Sequence, residues 1–105
     1  MIAVQVTIWI SPSSLSTFLP AFEEVVRNAL AEPECAFLNV YQNDEDPGKF
    51  FFIEHWNKDR AWFENVQLKK KYYEPYLQVT KPLWVKDRVV EYYEISPIGH
   101  SVQSA

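Results

Sequence analysis

Cysteine is almost missing from this sequence: Cys35 stands alone. One thiol closes no internal disulfide, which excludes a stapled small scaffold and makes a reducing, cytoplasmic setting the expectation. Histidine is nearly as scarce, with only His55 and His100. These side chains lie tens of residues apart and form no recognisable metal-ligand set, so neither a metal nor any other cofactor is expected. A basic surplus is lacking too. Ten Lys and Arg stand against fourteen Asp and Glu, a formal net charge of −4 at pH 7, whereas proteins that live on phosphate backbones carry the opposite balance. The run Gly48, Lys49, Phe50, Phe51, Phe52, Ile53 is similar to the aromatic strand of an RNA-recognition motif but has no internal glycine. Nucleic acid is therefore not an expected partner. No apolar run approaches the ~20 residues that span a bilayer, and the first residues alternate without a basic lead, unlike a signal peptide. A membrane is not expected either.

Aromatic side chains, by contrast, are abundant. Four Trp, six Tyr and seven Phe occur among 105 residues, which is one domain's worth of chain. Aromatics bury large areas, and a domain this small has limited interior to receive them. Some must line a pocket or a subunit interface.

Periodicity divides the chain. Ile2, Val4, Val6, Ile8 and Ile10 alternate with Ala3, Gln5, Thr7 and Trp9, a strand with one apolar and one mixed face. Ser11 to Ser14 supply turn and cap residues. Leu15, Phe18, Leu19, Phe22, Val25, Val26, Ala29 and Leu30 then form the stripe of an amphipathic helix. An interior Pro20 would cost about 3 kcal/mol, so the helix is expected to begin near Ser16 or Thr17, with the proline in or close to its first turn. Residues 36–42 and 50–56 read as strands joined by a hairpin loop over 43–48. Asn57 is the expected cap of a second helical region reaching about Val79, broken where its phase slips near Gln67 and again near Pro75. Residues 85–95 read as the last strand, closing a domain of residues 1–95, and 96–105 as a short polar tail.

The order is β-α-β-β-α-β, an α+β ferredoxin-like arrangement with an antiparallel four-stranded sheet. Helices cover one face of such a sheet and leave the other bare. A bare face with several large apolar groups is an interaction surface, and a homodimer packed sheet to sheet is expected.

Certain residues carry a resemblance. The segment Ala31, Glu32, Pro33, Glu34, Cys35, then Tyr41, the acidic loop with Asp46 and Pro47, and the run Glu54, His55, Trp56 resemble the antibiotic biosynthesis monooxygenase family. The match covers about residues 2–95 in element order and length. The resemblance implies a dimeric α+β barrel and oxygen chemistry without metal or bound flavin. It further implies that Tyr41 and Trp56 line a pocket. Phe52 stands where the quinone-forming members have an asparagine, Trp62 where they have a tyrosine, and Asn65 where another branch has a histidine. No histidine lies between Asn57 and Val79, which argues against the haem-degrading branch.

Cofactor-free oxygenation needs an electron-rich substrate that loses a proton and then gives an electron to oxygen. The protein supplies a dry aromatic pocket, one base and donors that steady the developing anion. His55 is the candidate base, Asn65 the candidate oxyanion donor and Tyr41 a candidate proton donor. Trp56, Trp62, Tyr72 and Phe52 are the candidate substrate contacts, and the pocket is expected to be bordered by Tyr41, Trp56, Trp62 and Tyr72. Each residue also has a plain reading. The tryptophans pack in a core, Tyr41 makes a structural hydrogen bond, and His55 faces solvent or caps a backbone group. Glu54 is a base if buried, or the partner of Arg88. Strand alternation sets His55 and Trp56 on opposite faces unless a bulge re-aims one of them or a dimer partner supplies the histidine.

The expected function is a small cofactor-independent monooxygenase acting on an aromatic or polyketide-type metabolite with molecular oxygen. The alternatives are a non-catalytic ligand-binding or stress-associated dimer, and a cyclase, isomerase or decarboxylase in the same barrel.

Overall fold

The computed structural model describes residues 1–99. His100 and the remainder of the expected tail lie outside the described residues. Strand β1 (Ile2–Trp9) leads through a 3-10 turn, Pro12–Ser14, into helix α1 (Leu15–Leu30). Strands β2 (Cys35–Gln42) and β3 (Lys49–Trp56) form the hairpin. Helix α2 (Arg60–Asn65), a 3-10 turn at Gln67–Lys69 and helix α3 (Tyr73–Thr80) make up the second helical region, and strand β4 (Val89–Glu94) closes the domain. The sheet has four strands in the order β2-β3-β1-β4, with every neighbouring pair antiparallel. This is the ferredoxin-like α+β fold.

Register turns the period-2 pattern into two distinct faces. Ile2, Val4, Val6 and Ile8 pair with Trp56, Glu54, Phe52 and Phe50 of β3, and Tyr92 and Val90 of β4 extend the same face. The helices cover this side. Phe18, Phe22, Val25 and Ala29 of α1 are buried on it, at the spacing of one helical stripe. Phe18 packs against Phe22 and Phe50 with ring centroids 4.9 and 5.3 Å apart. The opposite face carries Gln5, Thr7, Tyr41, Phe51, Ile53 and His55, and no helix among the described residues packs on it.

Several boundaries differ from the sequence expectation for local reasons. Helix α1 starts at Leu15, directly after the 3-10 turn, so Pro20 lies in its second turn. Pro20 is exposed, and the carbonyl it leaves without an intrahelical donor can face water, which limits the cost. Asp59, not Asn57, caps α2: its Oδ1 accepts from the Trp62 N–H at 2.9 Å. The break comes at residues 66–72, where Lys70 is extended, and Pro75 falls in the first turn of α3, a position that tolerates it. Strand β4 is shorter than expected because the chain bends at residues 85–86. Before that bend only an isolated bridge, Ile10 to Trp84, extends the pairing.

The hairpin loop is organised by side chains. Asn43 Oδ1 accepts from the N–H groups of Glu45 and Asp46 at 2.9 and 2.8 Å, and Asp46 Oδ1 accepts from the Gly48 N–H at 3.1 Å. Gly48 then passes close to the end of β1, its carbonyl accepting from the Ile10 N–H at 2.7 Å. A Cβ at Gly48 would sit 1.8 Å from the Ile10 carbonyl oxygen. Because the obstruction is backbone, Gly48→Ala is expected to destabilise the fold by about 1–3 kcal/mol. In urea the unfolding midpoint should fall with an unchanged slope, and a midpoint equal to wild type would show that the approach is not tight.

Candidate active site

Helices α1 and α3 do not close fully on the sheet. The break between α2 and α3 leaves a cavity of about 260 Å³ on the covered face. Its wall is built mainly from Val4 and Val6 of β1, Phe22 and Val25 of α1, Phe52 of β3, and Tyr76 and Leu77 of α3. Among the described residues, its only charged lining groups are Glu54 and Arg88. An apolar cleft with a few convergent polar groups is the usual form of a small-molecule site.

Glu54 is the unusual member. It occupies the stripe Phe50, Phe52, Glu54, Trp56 on β3 and is only 7% exposed. Burial raises its carboxyl to about 7, since removing water penalises the charged form most. The Trp56 indole, which donates from Nε1 to Glu54 Oε1 at 2.9 Å, and the positive charge of Arg88 oppose that rise. A carboxyl poised near neutrality in an apolar pocket is suited to taking up and releasing protons.

Phenols flank the carboxyl. Tyr73 and Tyr76 line the cavity, and burial raises both phenols above their ordinary value, Tyr73 strongly, so both stay protonated and able to donate. A polar cluster holds the helix break behind them. Gln67 is fully buried and donates from Nε2 to the hydroxyls of Tyr72 at 2.6 Å and Tyr73 at 2.9 Å. Tyr72 donates in turn to Glu32 Oε2 at 2.9 Å, and Lys70 pairs with the same oxygen at 3.4 Å. Burial raises the Tyr72 phenol to about 12.

Of the residues that the sequence offered, Phe52 lines the cavity, and so does Glu54, a base there only on condition of burial. Tyr41 and His55 are on the open sheet face. Tyr41 is 49% exposed and accepts a hydrogen bond from Asn39 Nδ2 at 3.3 Å, while the His55 ring packs on Phe37 with centroids 4.8 Å apart. The irregularity that could have re-aimed a side chain lies in β2, between Cys35 and Phe37. Strand β3 stays in register with β1 through Ala3↔His55 and Ile2↔Trp56, so His55 and Trp56 keep opposite faces. Asn65 is exposed at the end of α2. Trp56 is fully buried behind Glu54, against Trp62 and Phe63. Trp62 and Tyr72 are half-buried, Trp62 against the core and Tyr72 in the Gln67 cluster. The expected border of Tyr41, Trp56, Trp62 and Tyr72 is therefore not the border observed. Arg88, Tyr73, Tyr76 and Gln67 were not singled out as site residues. The readable signal was an acid set inside an aromatic stripe at strand spacing.

Among the described residues no three His, Cys, Asp or Glu side chains come together in a group that could hold a metal. No helix among them is long and apolar enough to cross a membrane.

Comparison with known proteins gives a consistent result. The family model described as antibiotic biosynthesis monooxygenase matches residues 1–68. The Pestalotiopsis microspora protein named "Putative monooxygenase GME11364" is 31% identical over 96 residues, which is 91% of this chain and 80% of that protein. A crystal structure of an antibiotic biosynthesis monooxygenase superposes with a TM-score of 0.84 at 26% identity, covering 92% of this chain and all of the other. A conserved protein from Methanosarcina mazei Go1 shares the fold, with a TM-score of 0.79 at 18% identity over 90% of this chain and 92% of its own.

The buried carboxyl carries a stability signature. An unfolded glutamate titrates near 4.5 and Glu54 near 7 in the fold. The folded state therefore binds the extra proton between those values, and stability falls as pH rises through that window. The loss should be on the order of 3 kcal/mol and complete a little above pH 7. Urea unfolding across pH 4 to 8 should show this slope in wild type and a flatter one in Glu54→Gln. Identical slopes would mean that Glu54 titrates as an exposed acid.

Proposed function

Because the chain belongs to the antibiotic biosynthesis monooxygenase family, we propose that this small monooxygenase-like enzyme is cofactor-independent. Its substrate is an aromatic, polyketide-type metabolite held in the cavity between sheet and helices, and Glu54 is its general base. One observation carries the reading: a single buried carboxyl, raised to about 7, on the wall of an aromatic cavity. Glu54 takes the role first considered for His55, which faces away from that cavity.

In this reading Glu54 removes a proton from an activated carbon beside a phenol or carbonyl, and the protonated phenols Tyr73 and Tyr76 steady the enolate. The carbanion passes an electron to oxygen, and the resulting radicals combine into a peroxide. That peroxide receives the proton back from Glu54. Loss of water then leaves a carbonyl: a CH2 group and O2 become C=O and H2O, and the substrate carbon supplies all four electrons that oxygen takes up. The apolar wall keeps bulk water from the anion. Cys35, the only thiol, suits work in a reducing compartment.

The unlayered sheet face supports a homodimer. Phe37, Tyr41, Val89 and Tyr93 on it are 38%, 49%, 45% and 46% exposed, an apolar area that a second copy would cover.

Three outcomes are expected. With an anthrone as substrate, Glu54→Gln should lower kcat by about 10²–10⁴ without lowering the melting temperature, and wild-type kcat should rise through pH 7 as Glu54 ionises. Labelled oxygen gas should place one atom in the product. Turnover that persists without oxygen would favour the isomerase or lyase alternative, and an unchanged kcat in Glu54→Gln would remove the proposed base. Sedimentation should give about twice 12.4 kDa, falling toward the single-chain mass in Tyr41→Glu.

A further inference from the structure

Among the described residues the cavity lining has one cation, Arg88. Arg88 lies just before β4, two residues before Val90 and four before Tyr92, and lines the cavity with them. Among the described residues no hydrogen bond and no ion pair takes up its guanidinium. The guanidinium carbon lies 5.4 Å from the Trp84 ring, and the group's charge acts on Glu54 and on the Tyr76 and Tyr92 phenols, interactions that leave its N–H donors unoccupied. The other arginine on this side, Arg60, is already engaged: it stacks on Tyr92 at 3.9 Å and pairs with Glu64 at 3.4 Å. Arg88 is exposed at the mouth, while Glu54 is buried and forms no ion pair with it. The two charges thus mark opposite depths of one apolar cleft.

A planar guanidinium with its donor fork unused, at the rim of an aromatic-lined cavity, matches a carboxylate better than any neutral oxygen. We propose that Arg88 is a specificity-determining residue that receives a carboxylate on the substrate, so that the ligand is an aromatic carboxylic acid entering ring first, its ionised group left at the mouth. The inference rests on the cavity being the substrate site, as argued above, and supplies the substrate class. It also gives the bound ring a direction. The charged end stays where water and Arg88 solvate it, and the uncharged oxidisable end reaches Glu54. A substrate entering the other way would bring its carboxylate against a buried carboxyl, which like charges forbid.

Binding, not turnover, tests this. Anthracene-2-carboxylate and its neutral carboxamide have nearly the same shape and are followed by fluorescence titration at pH 8 in low salt. Wild type should bind the carboxylate at least tenfold tighter than the amide. Arg88→Gln should weaken the carboxylate by about 10- to 100-fold, to the level of the amide, and leave the amide within twofold. Arg88→Lys should restore part of the difference. Because Arg88 is exposed, these variants should unfold at the wild-type temperature, and this is checked alongside. Equal affinities in wild type, equal weakening of both probes in Arg88→Gln, or binding of neither probe would each overturn the proposal. Glu54→Gln separates this result from the catalytic reading. It should keep the preference for the carboxylate even if its turnover equals that of wild type, an outcome that would remove the base while leaving the anion site in place.

Discussion

One placement governs the rest of the molecule: a carboxyl set within the aromatic stripe that β3 turns toward the helices. Glu54 sits between Phe52 and Trp56 on that stripe, where a valine or leucine would simply extend the core. Burying a charge without a close counter-charge is expensive, and the fold reduces the cost in two ways. The Trp56 indole supplies one hydrogen bond, and the positive charge of Arg88 acts on the carboxyl from the rim without pairing with it. A close ion pair with Arg88 would have held Glu54 in its charged form. Keeping the two apart leaves the carboxyl free to exchange its proton at neutral pH, and the same separation leaves room for a ligand between them.

That room exists because the second helical region is interrupted. A continuous helix from Arg60 to Thr80 would carry its stripe across the sheet and fill the space above Glu54. The turn at Gln67–Lys69 shifts the phase instead, and Tyr73 and Tyr76 of α3 face the cavity across from the strand residues. Interrupting a helix near a core exposes backbone and polar groups, which need partners. Gln67 meets part of this need with its two tyrosine contacts, although its Oε1 remains without one. A buried polar network of this kind rigidifies the break when satisfied and is costly when disturbed.

Much of this was legible in the sequence. The period-2 alternation of Ile2 to Ile8 and of Phe50 to Trp56 gave both faces of the sheet, and the phase slip at Gln67 located the helix break. The site was harder to read because it depends on depth. Alternation states that Glu54 and Trp56 share a face but not that the face is the covered one, or that helices pack against it loosely. A histidine titrates near neutrality without help, so the sequence points to His55, while Glu54 reaches that range only through burial. Tyr72 and Trp62 were visible as aromatics near the break. The Tyr72 hydrogen bond to Glu32 joins segments far apart in sequence, which no local pattern reports.

The hydrogen bond from Tyr72 to Glu32 spans 40 positions and ties the helix break to the end of α1. It also bears on the order of assembly. Such a contact closes a long loop, whose entropic cost is paid before the contact rewards it. The wall that carries Tyr73 and Tyr76 is thus anchored from outside its own helix, by an acid that belongs to the turn after α1. A change at Glu32 would release the anchor and alter the cavity's shape without touching a lining residue.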